Sequence, residues 1–348
     1  MRLILVIGIV ILALVVVLLL EIQRELHTFQ VSHYTVHSEK LSALTKDVQL
    51  VFLSDLHNHV YGENNRRLLD AIQNEHPDLI LIGGDMLVGK ETIPYDTALD
   101  FVSHLSEIAP VLYANGNHEQ RMKEEPEKYV YSYQEYKQAL EKKGIHFLEN
   151  ESCTDQWSGN SENGRLKLEF TGLELPLQSY KKCKKYPVSV QLIDECLNLQ
   201  YKEGKNGYKI NAKHESDLSA DETDEPDTNY QDQTLPKCQK LCRKEEHQKE
   251  KQQMKSYKVL LAHNPAYVDA YKEWGADMIL CGHLHGGIVR VPGIGCIITP
   301  QFFLFPKYSG ELTQEGNQTI VVSRGLGTHT VNLRLFNTAE VISLKLKK

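Results

Sequence analysis

The sequence predicts an α/β fold in which two β-sheets form a sandwich flanked by helices, preceded by an N-terminal transmembrane helix. From Asp47 onward, short apolar runs rich in β-forming residues alternate with stretches of helical periodicity. This alternation is typical of βαβ units and a mostly parallel sheet. Near the C-terminus the apolar runs follow one another without long helices, which indicates a second sheet. Residues 3–20 are apolar apart from one glycine and carry no charge.

Length and composition restrict the class of protein. Of the 348 residues, 41% are hydrophobic and 24% are charged, which excludes wholesale disorder and a polytopic membrane protein. The formal net charge of −7 disfavours nucleic acid as a partner, because binding it requires clustered Lys and Arg. The seven cysteines lack the spacing of a disulfide framework. Without the N-terminal segment and one long polar stretch, about 250 residues remain, the size of one α/β domain.

The N-terminal segment, residues 1–24, is predicted to be a membrane anchor. A helix over residues 3–20 is about 27 Å long, close to the thickness of the hydrocarbon core of a bilayer. The alternatives are a cleaved signal peptide and a buried core helix, but the run is longer than a signal core and no small-residue cleavage site follows it. Arg2 and the amino group precede the run and Arg24 follows it, which favours a single-pass protein of the cell membrane with an extracytoplasmic domain.

The rest of the chain is divided into a linker at residues 25–46 and a folded domain at residues 47–348. Strands are predicted at residues 49–53, 79–82, 111–114, 167–171, 258–262, 277–281, 319–323 and 341–346. Helices are predicted at residues 65–75, 95–108 and 133–143, where apolar side chains recur on one helical face.

Residues 181–255 interrupt this pattern. Eight acidic and no basic residues lie between Glu215 and Asp232, and the stretch up to Lys255 is rich in Lys, Gln and Glu. Such a composition buries too little apolar surface to offset the ordering of the chain. A disordered surface insertion is therefore expected, with a lid or partner-binding arm as the alternative. Its cysteines, at 183, 196, 238 and 242, match no Cys-x-x-Cys pattern, which disfavours zinc.

Polar motifs directly follow five of the predicted strands. They are Ser54-Asp55-Leu56-His57, Gly83-Gly84-Asp85, Gly116-Asn117-His118-Glu119, Ala262-His263-Asn264-Pro265 and Gly282-His283-Leu284-His285. In open α/β sheets, ligands bind at the carboxyl ends of the strands. Each motif alone is a weak signal, since Gly-Asn-His is often an ordinary turn. Five of them in one chain predict a metal site.

The donor set is too large for one metal ion. Two carboxylates, one amide oxygen and four imidazoles come from Asp55, His57, Asp85, Asn117, His263, His283 and His285. Two ions about 3.5–4 Å apart that share a carboxylate accommodate this number. Oxygen and nitrogen donors without thiolate suit Mn²⁺, with Fe²⁺ and Zn²⁺ as alternatives.

The motifs resemble those of the calcineurin-like metallophosphoesterases, which read Asp-x-His, Gly-Asp, Gly-Asn-His, a lone His and Gly-His-x-His. All five occur here in that order, from Asp55 to His285. The segments Ser323-Arg324-Gly325-Leu326-Gly327 and Arg334-Leu335-Phe336 are similar to a membrane-anchored bacterial branch, which includes UDP-2,3-diacylglucosamine pyrophosphatases of lipid A synthesis. The resemblance covers about residues 49–346 apart from the insertion.

The resemblance implies a role for each residue of the motifs. The ligands expected at the first metal ion are Asp55, His57 and His285. The ligands expected at the second ion are Asn117, His263 and His283. Asp85 is expected to bridge the two ions, and His118 corresponds to the catalytic histidine of the family.

The motifs and the resemblance together predict a membrane-anchored dimetal phosphoesterase. Two divalent ions lower the pKa of a bridging water, and the resulting hydroxide attacks phosphorus in line. His118 stabilises charge on the phosphoryl oxygens or protonates the leaving oxygen. The substrate is expected to be a phosphoester or pyrophosphate, lipid-linked or nucleotide-linked, such as UDP-2,3-diacylglucosamine. Arg324 and His59 are candidate substrate-binding residues, with ordinary strand-end and loop roles as their alternatives.

The sequence leaves two alternatives to this function. A non-catalytic metal-binding module would use the acidic insertion to bind protein partners, although such a site would normally have lost at least one ligand. A metal-dependent nuclease on the same fold is disfavoured by the acidic net charge and the anchor.

Overall fold

The structure, a computed structural model, describes residues 2–155, 166–197, 199–202, 209–212, 255–287, 289–328 and 332–348. The helices are α1 (Arg2–Leu26), α2 (Arg66–Asn74), α3 (Asp96–Ile108), α4 (Asn117–Glu124), α5 (Tyr133–Glu141), α6 (Val190–Cys196) and α7 (Val268–Trp274). The strands are β1 (Phe29–His37), β2 (Val48–Leu53), β3 (Leu79–Ile82), β4 (Val111–Tyr113), β5 (His146–Phe147), β6 (Glu151–Asp155), β7 (Leu166–Leu173), β8 (Leu199–Lys202), β9 (Lys209–Ala212), β10 (Lys255–Ala262), β11 (Met278–Cys281), β12 (Val289–Val291), β13 (Gly295–Ile298), β14 (Leu312–Glu315), β15 (Gln318–Val322) and β16 (Ala339–Lys347). Short 3-10 helices lie at Glu39–Ala43, Glu63–Asn65, Pro126–Lys128, Leu177–Tyr180 and Pro265–Tyr267.

The first sheet has six strands in the order β1-β16-β2-β3-β4-β5. Only the pairing of β16 with β2 is antiparallel. Leu79 to Ile82 are all buried, because the sheet is covered on both faces and its central strands are apolar on both sides. One face packs against α2, α3 and α5 through residues such as Phe101 and Tyr136.

The second sheet has the order β14-β15-β11-β10-β7-β6. Its four central strands are parallel, and its two edge strands are antiparallel to their neighbours. Its inner face meets the first sheet in one apolar layer that includes Phe52, Phe170 and Leu280. Its outer face packs against α6 and α7, with Ile193 and Tyr271 fully buried. The result is a layered α/β/β/α sandwich, as the sequence predicted.

Each predicted strand and helix is present, with ends shifted by a few residues. Among the described strands, the pattern missed the edge strands β1, β5, β6 and β14 and the two-stranded sheets β8-β9 and β12-β13, which lack a long apolar run. It also missed the short helices α4, α6 and α7. The last predicted strand, β16, lies in the first sheet between β1 and β2, so the C-terminal runs do not all belong to the second sheet.

The predicted linker at residues 25–46 is wrong, because it contains a strand of the domain. β1 pairs in parallel with β16 along its whole length, from Phe29 opposite Ala339 to His37 opposite Lys347. Val36 and Leu41 are buried in the layer between the sheets. The strand escaped sequence reasoning because one side of it faces solvent and its partner lies at the other end of the chain.

The predicted insertion begins too early. Residues 181–197 are described, and they include α6, whose N-cap Ser189 accepts a hydrogen bond from the Leu192 amide. The indole of Trp274 in α7 donates to Asp194 at 3.0 Å. The acidic stretch from Glu215 to Asp232, together with Cys238 and Cys242, lies outside the described residues, whereas Cys183 and Cys196 are free thiols.

The N-terminal helix α1 is long and apolar enough to cross a membrane, and none of its apolar window is buried in the protein. This exposure excludes the buried core helix, while a membrane span and a signal sequence share these properties. The end of the helix contacts the domain. The buried carboxylate of Glu25 accepts hydrogen bonds from the backbone N–H of Asn337, at 3.0 and 3.1 Å, and from the Thr338 hydroxyl at 3.0 Å.

The packing of β1 gives a test of its place in the domain. Val36→Ala removes two buried methyl groups and is expected to lower the free energy of unfolding by about 2 kcal/mol. Thr35→Ala changes the exposed neighbour and is expected to cost less than about 0.5 kcal/mol. Denaturant unfolding of both variants makes the comparison. Equal stability of the two would mean that residues 25–46 are a linker after all.

Candidate metal centre

The proposed ligands meet where the two sheets present the carboxyl ends of their central strands. β2, β3 and β4 are neighbours in the first sheet, and β10 and β11 are neighbours in the second. Their ends carry three clusters of side chains whose ligand atoms lie within 4.8 Å of one another. The clusters are Asp55 with His57 and His285, Asp85 with His263 and His283, and His57 with Asp85 and His118.

In the first cluster, the ring nitrogens of two histidines lie beside a buried carboxylate. The Nδ1 atom of His285 lies 3.0 Å from the Gly327 carbonyl oxygen, so Nδ1 carries the proton and Nε2 presents its lone pair. That Nε2 atom is 3.2 Å from Nε2 of His57 and 3.4 Å from Oδ1 of Asp55. The lone pair of His285 and the carboxylate of Asp55 both attract a cation placed between them. The cluster therefore fits a metal ion.

The second cluster is built in the same way. The Nδ1 atom of His263 lies 2.6 Å from the Gly83 carbonyl oxygen, and its Nε2 lies 3.1 Å from Oδ2 of Asp85. Asn117, whose side chain lines the same cavity as His283, has a buried Oδ1 atom with no hydrogen-bond partner among the described residues. An orphaned buried oxygen is costly, and coordination of a divalent ion would satisfy it.

Asp85 contacts residues of both proposed ligand sets. Its Oδ2 atom lies 3.8 Å from Nε2 of His57 and 3.9 Å from Nε2 of His118, in addition to its contact with His263. Two of the three clusters contain Asp85. This central position fits a carboxylate that bridges two ions.

The electrostatics of the site favour bound cations. Burial raises the pKa of Asp55. Burial also acts to raise the pKa of Asp85, but the imidazoles of His263 and His118 outweigh it and hold that pKa well below its usual range. Burial lowers the pKa of His263, but Asp85 reverses this and raises it to about 10. A positive charge is thus stabilised at the point where His263 meets Asp85.

His118 differs from His263 and His285 in which ring nitrogen carries the proton. The backbone N–H of Gly89 donates to Nδ1 of His118 at 2.8 Å, so the neutral ring carries its proton on Nε2. A nitrogen that keeps its proton cannot ligate a metal ion. In the neutral rings of His263 and His285 the proton lies on Nδ1, so that Nε2 can ligate an ion. The geometry therefore separates two histidines that fit ligands from one that fits a hydrogen-bond donor.

The ligand loops have strained backbones. Asp55, His57, Asp85, His283 and His285 have positive φ values of 56°, 49°, 55°, 69° and 49°. The left-handed region costs about 1–2 kcal/mol for a residue with a side chain. Gly84, with φ of +91°, also lies so close to the next loop that a Cβ atom would come within 2.1 Å of the Gly116 nitrogen. Such strain is typical of functional sites.

Glu119, which sequence reasoning did not assign, holds two ligand loops together. Its buried carboxylate accepts hydrogen bonds from the backbone amides of Asp85 at 2.8 Å, Met86 at 2.9 Å and Gly116 at 3.0 Å. It also accepts one from the Tyr113 hydroxyl at 2.8 Å. Burial, followed by the charge of Asp85, raises the pKa of Glu119 to about 7. The Glu of Gly-Asn-His-Glu was a usable signal.

Arg334 and Asn337 support the loop that carries His285. The buried guanidinium of Arg334 donates to the carbonyl oxygens of Gly325 at 3.0 Å and Gly327 at 2.5 Å. The side-chain amide of Asn337 donates to the His285 carbonyl oxygen at 2.5 Å. Because Gly327 fixes the proton of His285, Arg334 positions a proposed metal ligand.

A cavity of about 360 Å³ opens beside the second cluster. Its lining includes Asn117 and His283 together with three basic residues, Arg121, Lys181 and Lys182. Sequence reasoning missed all three. Arg121 lies one helical turn after Asn117, and its Nε donates to the Asn117 carbonyl oxygen at 3.1 Å. The two lysines lie in the stretch expected to be disordered.

Arg324 and His59 do not line this cavity. The guanidinium Nε of Arg324 donates to the Gly310 carbonyl oxygen at 3.0 Å. The ring of His59 packs against Tyr61, with centroids 4.6 Å apart, and burial, aided by the charge of Arg334, lowers its pKa. Their expected contact with substrate therefore has no support in the geometry.

The family profile and the curated relatives agree with the geometry. The calcineurin-like phosphoesterase family profile matches residues 48–287. The chain is 25% identical to the phosphodiesterase YaeI of Escherichia coli over 301 residues, which is 86% of this chain and 82% of YaeI. It is 33% identical to the uncharacterized metallophosphoesterase YkuE of Bacillus subtilis over 91 residues, which is 26% of this chain and 31% of YkuE. The solved Thermus thermophilus sulfate thiohydrolase SoxB aligns with a TM-score of 0.39 and 11% identity, over 87% of this chain and 57% of SoxB.

The chain belongs to the calcineurin-like phosphoesterase family. It is accordingly a metal-dependent phosphoesterase, and its clustered His and Asp side chains support a pair of divalent ions.

The role of Glu119 can be tested by removing its charge. Glu119→Gln places an amide N–H₂ group against backbone donors and is expected to lower metal affinity about 10–100-fold. It is also expected to lower the free energy of unfolding by about 1–3 kcal/mol. Glu124→Gln, on the exposed side of α4, is the control and should bind metal normally. Metal titration measures both, and unchanged affinity in Glu119→Gln would refute the positioning role.

Proposed function

We propose that the chain hydrolyses phosphodiester or pyrophosphate bonds with two divalent ions, at a site held to the membrane by α1. The seven proposed ligands are Asp55, His57, Asp85, Asn117, His263, His283 and His285. The observation that carries the proposal is the meeting of these residues around Asp85. Two bound ions would supply a water of lowered pKa and neutralise charge on the phosphoryl group.

His118 is proposed as the residue that donates a proton or hydrogen bond to the reacting phosphate. Its protonated Nε2 faces the shared carboxylate of Asp85 at 3.9 Å, and the Gly89 amide fixes the tautomer. A donor in this place stabilises charge that grows on a phosphoryl oxygen or protonates the leaving oxygen. To stabilise charge on a phosphoryl oxygen, the ring of His118 does not need to gain or lose a proton.

Substrate binding is assigned to the cavity beside Asn117 and His283. Arg121 and the lysines at 181 and 182 line it, and such side chains bind phosphate oxygens. More than one anionic group would match three cations, which favours a pyrophosphate diester over a substrate with a single phosphate group. The phosphodiesterase name of the relative YaeI points the same way. UDP-2,3-diacylglucosamine is a molecule of this class.

The metal identity and the location are also part of the proposal. Carboxylate, amide and imidazole donors without thiolate suit Mn²⁺. Helix α1 has the length and composition of a membrane span, and the positive charge before it favours an extracytoplasmic domain.

A pair of variants separates metal binding from chemistry. His118→Asn is expected to keep two ions per chain and to lower kcat about 10²–10⁴-fold. Asn117→Ala is expected to lose the second ion together with activity. Hydrolysis of bis(p-nitrophenyl) phosphate with Mn²⁺, alongside metal analysis, gives both readouts. His104→Asn, an exposed histidine on α3, is the control.

The outcomes distinguish the alternatives. Full activity of His118→Asn would remove that residue from the mechanism. No turnover of any aryl phosphodiester or monoester by a chain that holds two ions would favour the non-catalytic metal-binding module.

A further inference from the structure

A loop beside the proposed site exposes apolar side chains that the fold does not use. In the aromatic loop, residues 300–306, Phe302 is 49% exposed, Leu304 64% and Phe305 65%. Phe302 and Phe305 have φ values of 64° and 46°, a backbone conformation that is unfavourable for residues with a side chain. Contiguous exposed apolar residues mark interaction sites rather than folding requirements.

The aromatic loop is held in place rather than loosely attached. The Phe302 amide donates to the Thr299 carbonyl oxygen and the Phe305 amide to the Ile297 carbonyl oxygen, both at 2.9 Å. The Phe303 amide donates to the Thr299 hydroxyl at 3.1 Å. The backbone therefore fixes the loop against β13 while three large apolar side chains face solvent.

A dense patch of positive charge borders the aromatic loop. In the lysine segment, residues 181–185, four of the five residues are lysines and all are exposed. The Cys183 amide donates to the Gln301 carbonyl oxygen at 3.0 Å, and Nζ of Lys182 lies 5.1 Å from the Phe302 ring centre. Among the described residues, no carboxylate lies within ion-pair distance of these four lysines. Exposed aromatic residues flanked by unpaired lysines are typical of surfaces that bind anionic membranes.

The same two segments form the mouth of the proposed active site. Lys181, Lys182 and Gln301 line the cavity that Asn117 and His283 also line. Gln301 also lines a second cavity, of about 340 Å³. Its lining includes apolar residues, namely Val268, Leu284, Phe303, Leu304 and Pro306.

The end of α1 is close to the same ligand loop. A Cβ atom on Gly286 would lie 2.1 Å from Asn337, and one on Gly287 would lie 2.1 Å from Cys296 in β13. The loop that carries His283 and His285 is thus packed between Asn337, which binds Glu25 of α1, and the strand that leads into the aromatic loop.

We propose that the aromatic loop and the lysine segment form a membrane-contact surface, which presents the active-site mouth to an anionic lipid bilayer. The apolar side chains enter the acyl region and the lysines contact the headgroups. The next step rests on the proposed function: the surface selects an amphiphilic substrate. The phosphoester of this substrate reaches the metal ions, and its acyl chain occupies the apolar cavity. Each lysine strengthens membrane association by roughly fivefold.

Fluorescence quenching tests the surface in the full chain. The probe is Phe305→Trp, reconstituted in vesicles of phosphatidylcholine and phosphatidylglycerol with brominated acyl chains, with wild-type emission subtracted. We expect the probe to lose most of its emission and to shift to shorter wavelength. The matched control is Val130→Trp, because Val130 is 72% exposed and lies in the loop before α5, the helix that packs against the first sheet. This control probe should keep its emission. Phe302→Trp is a second probe in case the first misfolds.

The outcomes are decisive in both directions. Unquenched emission from both probes would overturn the proposal and would assign the aromatic loop to a protein partner or a second copy of the chain. The role of anionic lipid has two tests. Quenching that is equally strong in vesicles of phosphatidylcholine alone would overturn it, and so would equally strong quenching of a probe chain that also carries Lys182→Gln and Lys184→Gln. The readout involves no hydrolysis. A chain that cleaves bis(p-nitrophenyl) phosphate without quenching refutes only this surface, and a quenched but inactive chain refutes only the phosphoesterase proposal.

Discussion

The buried carboxylates of Asp55 and Asp85 require positive charge, and the centre of the molecule is arranged around that requirement. Both are almost fully shielded from solvent, and an uncompensated buried carboxylate costs several kcal/mol. The surrounding imidazoles provide some of the compensation, which holds the pKa of Asp85 well below its usual range against the effect of burial. Both carboxylates belong to clusters of side chains whose geometry fits metal ions, and divalent ions would complete the compensation.

The sandwich explains how these residues come together. Five ligand motifs from two sheets meet because the carboxyl ends of adjacent parallel strands lie at one edge. The loops then hold strained backbone conformations, which Glu119, Arg334 and Asn337 stabilise through hydrogen bonds to main-chain atoms. The packing of the three apolar cores thus supports a site that would not be stable on its own.

The sequence predicted the parts of this account that leave a local signal. The motifs follow strands with continuous apolar runs, so their meeting at one edge followed from the fold class. β1 left no such signal, because it is an edge strand whose stability depends on β16 at the far end of the chain. The lysines of the active-site mouth were missed because a polar stretch resembles a disordered one until its packing is known. Arg324 was a candidate for phosphate binding, with an ordinary strand-end role as its alternative. Its guanidinium Nε donates to the Gly310 carbonyl oxygen, an orientation that no motif encodes.

Electron paramagnetic resonance of the Mn²⁺-loaded chain tests the central claim most directly, because coupling between two ions reports their separation. We predict two Mn²⁺ ions per chain with the spectrum of an exchange-coupled pair, and loss of the coupling in Asp85→Asn. A single ion per chain, or two ions that give only the spectrum of isolated Mn²⁺, would contradict a dimetal centre built around Asp85.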